Sequence, residues 1–259
     1  MKIGFLDSGI GGLNVLHQAM KTLPKEDYIY YADTDHVPYG TKPKEAIIGY
    51  VDEAVSFLIG KGVQAIVIAC NTATSVAIDY VRNKYKLPIL GMEPAVKAAV
   101  RICQNRRVMI AATPITIREE KLKNLLKQVD GDHRTDLLPL PRLVLFAEAG
   151  KFTGREVEAY LRKELAPYDL QDYSTFVLGC THFNYFKDTL RRIMPDQVEF
   201  IDGINGTVNH LRDVLLKSGL PGEGSAQVEY YMTGRRVTDK RKLQQLERYL
   251  KRAADMQQY

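Results

Sequence analysis

Short apolar runs alternate with helical patterns along most of this chain, and this alternation restricts the possible folds more than any other feature. The runs read KIGFLD, DYIYYAD, QAIVIAC, LPILGM, RRVMIAAT, STFVLGC and VEFID. Runs of this kind, separated by helices of about ten or more residues, are typical of parallel sheets with helices on both faces. The sequence therefore predicts an α/β fold, with four strand–helix units in residues 1–103.

The length and charge of the chain limit its organisation and its partners. At 259 residues it lies near the upper size of a single hydrophobic core, so one domain or two are both allowed, and we expect two. The net charge is +5 with basic and acidic residues interleaved, so we expect no nucleic-acid partner. In the basic segment 233–252, lysines and arginines alternate with apolar residues, which predicts a helix with a solvated face.

The apolar stretches and the cysteines predict the compartment. No stretch approaches the roughly 18 apolar residues that span a bilayer, and the N-terminal MKIGFLDSGIGG lacks the apolar segment of a signal peptide. We therefore expect a cytoplasmic protein with no membrane partner. An odd count of three cysteines predicts free thiols. Since no CxxC or HxxxH spacing occurs, we expect no metal.

Polar residues follow several of the predicted strands at the point where each strand ends. In parallel α/β sheets, ligands bind beyond these carboxyl ends. The residues there are Asp7, Ser8, Asp33, Cys70, Asn71, Thr72, Glu93, Thr113, Cys180, Thr181 and His182. We therefore expect the functional site among them.

Two of these strand ends share one plan. VIACNTAT, residues 67–74, and VLGCTHFN, residues 177–184, each run from an apolar strand through a small residue to a cysteine, two polar residues and a helix. If two α/β halves face each other with their strand ends inward, Cys70 and Cys180 lie on opposite sides of one cleft. A single reactive cysteine suggests acyl transfer, whereas a matched pair suggests proton transfer.

Proton transfer at two faces is what inversion of an amino acid requires. One group removes the α-proton and another returns a proton from the opposite face, so two groups of similar pKa suit the reaction. The reference pKa of a thiol is about 8.5, and a helix N-terminus raises the thiolate fraction. A lone cysteine is more often a small buried hydrophobe, which is our interpretation of Cys103.

Several neighbours could assist, and each has a simpler structural interpretation. Asp7 could accept a proton or orient an ammonium group, or it could cap the next helix. Ser8 and the glycine amides after it could meet an anion. A dinucleotide site is the rival interpretation, although G-I-G-G-L-N lacks the third glycine of that fingerprint. Asp33, at the end of the second strand, keeps this rival open.

The remaining candidates are hydrogen-bonding groups. Asn71, Thr72 and Thr181 could hold a carboxylate or only cap helices. His182 could transfer or orient a proton near neutral pH, or face solvent at a helix start. Tyr39 and Gly40, in HVPYGTK, could cover a site or form an ordinary turn.

The motifs DSGIGG, VPYGTK, ACNTAT, EPA and LGCTH resemble the glutamate racemases of the aspartate/glutamate racemase superfamily, in consistent order from Met1 to about Asp202. The resemblance implies two flavodoxin-like domains whose parallel sheets face each other in a pseudo-two-fold arrangement, with the active site in the cleft between them. The first domain would comprise residues 1–94 and 208–259, and the second residues 95–207. It also implies a homodimer that binds free glutamate without pyridoxal phosphate, metal or nucleotide. The product, D-glutamate, would feed peptidoglycan synthesis.

The resemblance also implies roles for individual residues. Cys70 would handle the proton on the D-glutamate side with help from Asp7, and Cys180 that on the L side with help from His182. Glu148, in LFAEAG, resembles an acidic residue that assists catalysis. The substrate would be held by Asp7, Ser8, Tyr39, Gly40, Asn71, Thr72, Thr181 and His182.

The chain departs from the usual family pattern around the site. His36 stands where the family usually has arginine, Phe183-Asn184-Tyr185-Phe186 replaces the common Y-P-L-L, and IDGING stands where a D-S-A type segment is expected. A secondary racemase or one with a shifted substrate preference is expected to show such changes. The alternatives are therefore a racemase for aspartate or hydantoin, a one-cysteine decarboxylase, or a non-catalytic binding module on the same fold.

Overall fold

The structure is a computed structural model that describes residues 1–92, 95–103, 106–219, 222 and 224–259. The strands are β1 Lys2–Asp7, β2 Asp27–Ala32, β3 Ala65–Ile68, β4 Ile89–Gly91, β5 Arg107–Ala112, β6 Thr135–Pro139, β7 Tyr173–Leu178, β8 Glu199–Ile201, β9 Val228–Met232 and β10 Arg235–Arg236. The helices are α1 Leu13–Thr22, α2 Lys44–Gly60, α3 Asn71–Lys84, α4 Val96–Ile102, α5 Pro114–Arg118, α6 Glu120–Val129, α7 Pro141–Glu148, α8 Arg155–Leu165, α9 Lys187–Arg191, α10 Ile204–Ser218 and α11 Lys240–Asp255.

The strands form two sheets, as an α/β fold requires. One sheet has the order β10-β9-β2-β1-β3-β4, and the other has the order β6-β5-β7-β8. All neighbouring strands pair in parallel except β10, which runs antiparallel to β9 at the edge. The central strands β1, β3, β5 and β7 are almost wholly buried, because helices cover both faces. The predicted α/β class with two facing sheets is confirmed.

The strand register places the carboxyl ends of the first sheet side by side. In β1, Asp7 pairs with Ala32 at the end of β2, and the preceding Leu6 pairs with Ile68 at the end of β3. The residues that follow these strands therefore emerge at one edge of the sheet. This edge carries the segments that begin at Asp7, Asp33 and Cys70.

The predicted strands are confirmed in position, but three others were missed. β6 is a partly exposed edge strand that ends in proline, and β9 and β10 lie in a segment where the basic pattern obscured any alternation. The pattern of TIREEKLKNLLKQV, residues 116–129, predicts one helix, but this segment belongs to two helices, because Glu119 is extended with ψ at 136°. The helix predicted from about Phe183 is a 3₁₀ segment, Thr181–Phe186, followed by α9. The predicted strand end Glu93 lies outside the described residues.

The assignment of strands to the two sheets can be compared with the predicted domain boundaries. β1–β4 and the late strands β9 and β10 form the first sheet, whereas β5–β8 form the second. The predicted boundary between residues 207 and 208 falls inside α10. The division into residues 1–94 with 208–259 and residues 95–207 stays a prediction.

The C-terminal helix α11 packs with one apolar face against the molecule, as its sequence predicts. Leu246, Tyr249 and Ala253 are buried, while most other positions of α11 are exposed. Within the described ranges, no helix has both the length and the apolar character needed to cross a bilayer.

Gly179 connects β7 to Cys180 at a point of close backbone approach. Its amide donates to Ala111 O of β5 at 2.7 Å. A Cβ at this position would lie 2.7 Å from the same carbonyl oxygen, which belongs to a buried strand and cannot move aside cheaply. The strand end that carries Cys180 therefore requires glycine.

We predict that Gly179→Ala lowers the free energy of unfolding by about 1–3 kcal/mol, because the added methyl group overpacks the β5–β7 contact. The measurement is a urea unfolding curve. The control is Gly49→Ala in the middle of α2, where the position is exposed and no heavy atom lies within 4 Å of the added Cβ. This control should gain up to about 1 kcal/mol from helix propensity. Equal midpoints for the two variants would contradict the close-contact argument.

Candidate active site

The carboxyl edges of the two sheets meet in a direct hydrogen bond. Thr181, which follows β7 of the second sheet, donates its hydroxyl to Asp7 Oδ2 at the end of β1 in the first sheet, at 3.2 Å. Asn14 of α1 donates to Thr181 O at 3.0 Å from the same side. Asp7, Asn14 and Thr181 are all buried. The structure thus brings the predicted strand-end residues of both halves into one cleft.

Cys70 lies between β3 and α3 and caps the N-terminus of α3. Its Sγ accepts from the amide of Ala73 at 3.4 Å, and its thiol donates to Ser8 Oγ at 3.9 Å. Burial raises the pKa of the Cys70 thiol, and the Asp7 carboxyl adds to this effect. The Ala73 amide opposes the increase but does not outweigh it. The start of α3 therefore acts on the thiol in the expected direction, but burial and Asp7 have the larger effect.

Cys180 begins a chain of polar contacts on the opposite side. Its Sγ lies 3.8 Å from His182 Nδ1, and His182 Nε2 lies 2.7 Å from Glu148 Oε1. Burial alone lowers the pKa of His182, but hydrogen bonds to Cys180 and Glu148 outweigh it and raise the pKa well above its usual value. The contacts with Cys180 and Glu148 therefore favour the charged form of the His182 ring.

The two thiols influence each other electrostatically. Each is 6% exposed, and charge on Cys180 adds to the increase in the pKa of Cys70. A thiolate on one side therefore favours a neutral thiol on the other. The third thiol, Cys103, is buried next to α4 and donates to Val100 O at 3.1 Å. It lies away from these contacts, as predicted.

The backbone amides of the glycine-rich loop after β1 donate hydrogen bonds to carboxyl groups of the protein itself. The amide of Gly9 donates to Asp7 Oδ1 at 2.8 Å, and the amide of Ile10 donates to Glu148 Oε1 at 2.8 Å. A Cβ on Gly11 would lie 2.4 Å from His182 Nδ1, so the loop packs directly against the histidine. Burial raises the pKa of the Asp7 carboxyl, and the positive charge of His182 only partly opposes this.

Asp33, which kept the dinucleotide interpretation open, binds its own loop. Tyr39 donates its hydroxyl to Asp33 Oδ2 at 2.6 Å, and His36 Nδ1 lies 2.9 Å from Asp33 Oδ1. The His36 ring stacks on Tyr50 with centroids 3.8 Å apart. The Tyr39 hydroxyl thus belongs to the framework of the loop, and a substrate contact there would fall to its backbone and to Gly40.

Asn71 and Thr72 begin α3 beside Cys70 and differ in how their polar groups are satisfied. Thr72 Oγ1 lies 2.9 Å from Thr113 Oγ1 and 3.3 Å from Thr116 Oγ1, which joins the two halves a second time. Asn71 is buried, and its Oδ1 and Nδ2 have no hydrogen-bond partner among the residues that the structure describes. Buried amides of this kind are rare unless a ligand or water binds them.

A cavity of about 320 Å³ adjoins Asn71 between α3 and α6. Its other lining residues include Thr74, Met92, Thr116 and Leu125, and neither Cys70 nor Cys180 lines it. The thiols are enclosed rather than open to this cavity. Across the described ranges, no three His, Cys, Asp or Glu side chains are grouped in a way that could hold a metal ion.

The sequence analysis did not identify three residues whose side chains bind backbone carbonyls of the site. Asn14 contacts Thr181 O, Tyr30 donates to Gly9 O at 2.7 Å, and Tyr185 donates to Ile10 O at 2.9 Å. A signal was available for Asn14, because it is a polar residue among the otherwise apolar buried positions of α1. The structure brings the predicted catalytic set together, including Glu148, while the roles of its members stay predictions.

Comparisons with known proteins agree with this arrangement. Residues 13–211 match the family described as Asp/Glu/Hydantoin racemase. The chain is 50% identical to a glutamate racemase of Lachnospira eligens over the whole of both chains. It is 46% identical to glutamate racemase 2 of Bacillus subtilis, covering 92% of this chain and 91% of that one.

A solved structure with the same fold is that of Escherichia coli glutamate racemase in complex with L-glutamate and the activator UDP-MurNAc-ala. It superposes with a TM-score of 0.83 at 28% identity, covering 96% of this chain and 94% of that one. The family match, the relatives and the facing strand ends agree, and the chain belongs to the Asp/Glu/Hydantoin racemase family.

Proposed function

We propose that this protein interconverts L- and D-glutamate by two-base proton transfer, without a cofactor, and so supplies D-glutamate for peptidoglycan synthesis. The observation that carries the proposal is the pair of buried thiols at matched strand ends, each with its own polar partners. Cys70 contacts Ser8 near Asp7, and Cys180 contacts the His182–Glu148 pair. Relatives that match over the full length are glutamate racemases, which supports glutamate as the substrate.

We assign the proton transfers to the two thiols as the family resemblance implies. In the L-to-D direction, the Cys180 thiolate takes the α-proton and becomes a thiol, and the electron pair of the C–H bond stays on the substrate as a planar carbanion. The Cys70 thiol then gives its proton to the opposite face and becomes a thiolate. The reverse reaction starts from the state in which the forward reaction ends, so one site serves both directions.

We propose a separate role for the polar residues beside each thiol. The charged His182, held by Glu148, stabilises the thiolate form of Cys180 and can return a proton to it. Asp7 lies near Cys70 and accepts hydrogen bonds from the Gly9 amide and the Thr181 hydroxyl, so it can orient the substrate ammonium group or relay a proton on that side.

The carboxylates of the substrate need hydrogen-bond donors. The Nδ2 of Asn71, which has no partner within the described part of the chain, is a donor beside Cys70. The hydroxyls of Ser8, Thr72 and Thr181, with the backbone of Tyr39 and Gly40, complete a set placed on both halves of the cleft. A ligand that touches both halves stabilises the closed form by its differential affinity for it.

Three further parts of the proposal concern context. We place the protein in the cytoplasm, where three free cysteines stay reduced. We assign residues 1–94 and 208–259 to one domain and residues 95–207 to the other, in keeping with the two sheets. A homodimer is proposed from the family resemblance.

The test of the proposed reaction uses L-glutamate and L-aspartate in deuterated water without added cofactor. We expect loss of optical rotation for glutamate, with deuterium at the α-carbon of the inverted product, because the proton comes from a thiol that exchanges with solvent. NMR measures the deuteration. Absence of both inversion and α-exchange would defeat the proposal. Inversion of aspartate alone would agree with the two-base mechanism but would make aspartate, rather than glutamate, the substrate.

Replacing either catalytic thiol tests the mechanism itself. We predict that Cys70→Ala and Cys180→Ala each lower kcat by a factor of about 10² to 10⁴ or more, because each removes one of the two proton-transfer groups. The matched control is Cys103→Ala, which removes a buried thiol away from the site and should keep kcat within about twofold. If either of the first two variants turned over like the wild type, the two-base mechanism would be wrong.

We predict that Asp7→Asn raises the thermal stability of the protein and lowers its activity. The folded-state pKa of Asp7 is raised by burial, so its ionisation destabilises the fold as pH rises above 3.8 and through the folded pKa. Asparagine can still accept from the Gly9 amide through Oδ1 and can donate from Nδ2 to the Thr181 hydroxyl, without the cost of a buried charge. We expect a Tm at pH 7 that is higher by a few degrees, and a kcat lower by roughly tenfold or more. A variant with wild-type kcat would exclude Asp7 from the proton-transfer machinery.

A further inference from the structure

The C-terminal helix α11 reaches the active-site segment through one arginine. Its basic face was predicted to be solvated, but Arg252 turns inward and its side chain is 19% exposed. The guanidinium donates to Tyr185 O from Nη2 at 2.7 Å and from Nε at 3.2 Å. Nη2 also donates to Asp188 Oδ1 at 2.7 Å.

The receiving carbonyl lies in the segment that carries His182. Thr181–Phe186 is a 3₁₀ turn, which has poorer hydrogen-bond geometry than an α-helix and is seldom longer than a few residues. Carbonyls near the end of such a segment lack partners within it. Arg252 supplies the partner for Tyr185 O with a charged, forked donor, which makes a stronger and more directional bond than a neutral one.

The same tyrosine connects this contact to the acid–base residues. Tyr185 donates its hydroxyl to Ile10 O at 2.9 Å, and the amide of Ile10 donates to Glu148 Oε1, which contacts His182. At the other end of the segment, Asn14 holds Thr181 O. His182 therefore sits between two carbonyls that are each bound by a side chain from a helix outside the segment.

We propose that Arg252 is a positioning residue for proton transfer at Cys180, because its bond to the Tyr185 carbonyl fixes the 3₁₀ segment and with it the place of His182. This inference rests on the proposed function. Arg252 itself touches neither thiol. Its effect on the reaction passes through the backbone of Thr181–Phe186.

A purely structural role for Arg252 makes a different prediction. In that case its main contribution would be the ion pair with Asp188. The side chain of Arg252 is 19% exposed and that of Asp188 is 14% exposed. Asp188→Asn weakens the ion pair but leaves the guanidinium free to bind Tyr185 O. If Arg252 acts mainly through the ion pair, Asp188→Asn should lower kcat as much as replacement of Arg252 does. If it acts through the Tyr185 carbonyl, Asp188→Asn should leave kcat nearly unchanged.

The experiment compares Arg252→Met, Arg252→Lys, Asp188→Asn and the control Arg248→Met, an exposed position one turn earlier on α11. We expect Arg252→Met to lower kcat roughly 10- to 100-fold with KM within about threefold, since small misplacement of a catalytic group has effects of this size. Arg252→Lys should lie between this variant and the wild type. Asp188→Asn should lose thermal stability and keep kcat within about threefold of the wild type, as should Arg248→Met.

Two results would overturn the assignment: a wild-type kcat for Arg252→Met, or an equal loss of kcat in Asp188→Asn. Amide hydrogen exchange of residues 181–186 gives a readout that does not depend on the reaction. We expect faster exchange there in Arg252→Met and unchanged exchange in Arg248→Met. If the wild type racemised nothing, the proposed function would fail, and unchanged exchange in Arg252→Met would separately defeat the positioning role.

Discussion

The hydrogen bond from Thr181 to Asp7 joins the carboxyl edges of the two sheets, and the rest of the site depends on that meeting. Each edge alone carries one of the two thiols, with hydroxyl and carboxyl groups near it. When the edges meet, the amide of Ile10 reaches Glu148, which in turn reaches His182. The glycines of the first loop allow this approach, since any side chain at Gly11 would collide with the histidine.

Burial sets the electrostatics of the closed site. Burial raises the pKa of Asp7 and of Cys70. At His182 it is outweighed because Cys180, Glu148 and Asp7 all favour the charged ring. Charge on Asp7 and on Cys180 adds to the effect of burial at Cys70, so the enclosed site favours the neutral form of the Cys70 thiol. A substrate that brings an ammonium group and carboxylates changes this balance, which is how binding can prepare the ionisation that the reaction needs.

The sequence predicted the parts of the fold that local pattern determines. Continuous apolar strands and strand-end cysteines were sufficient to find β1, β3, β5 and β7 and to pair Cys70 with Cys180. The edge strands β6, β9 and β10 escaped because partly exposed edges lack a strong hydrophobic pattern. Asn14 and Arg252 were missed for a different reason: their partners are distant in sequence, and no local spacing records a contact with a backbone carbonyl.

The order of the strands has a consequence for how the protein is made. The loop that carries Tyr39 and Gly40 is anchored by residues near the end of the chain: Thr233 donates to Asp33, and Arg235 binds Asp35. The partner of β2 on that side, β9, also comes late. A chain that is still being synthesised therefore cannot complete its first sheet or its cleft. Assembly of the first sheet and of this loop therefore waits until β9 and β10 have been synthesised.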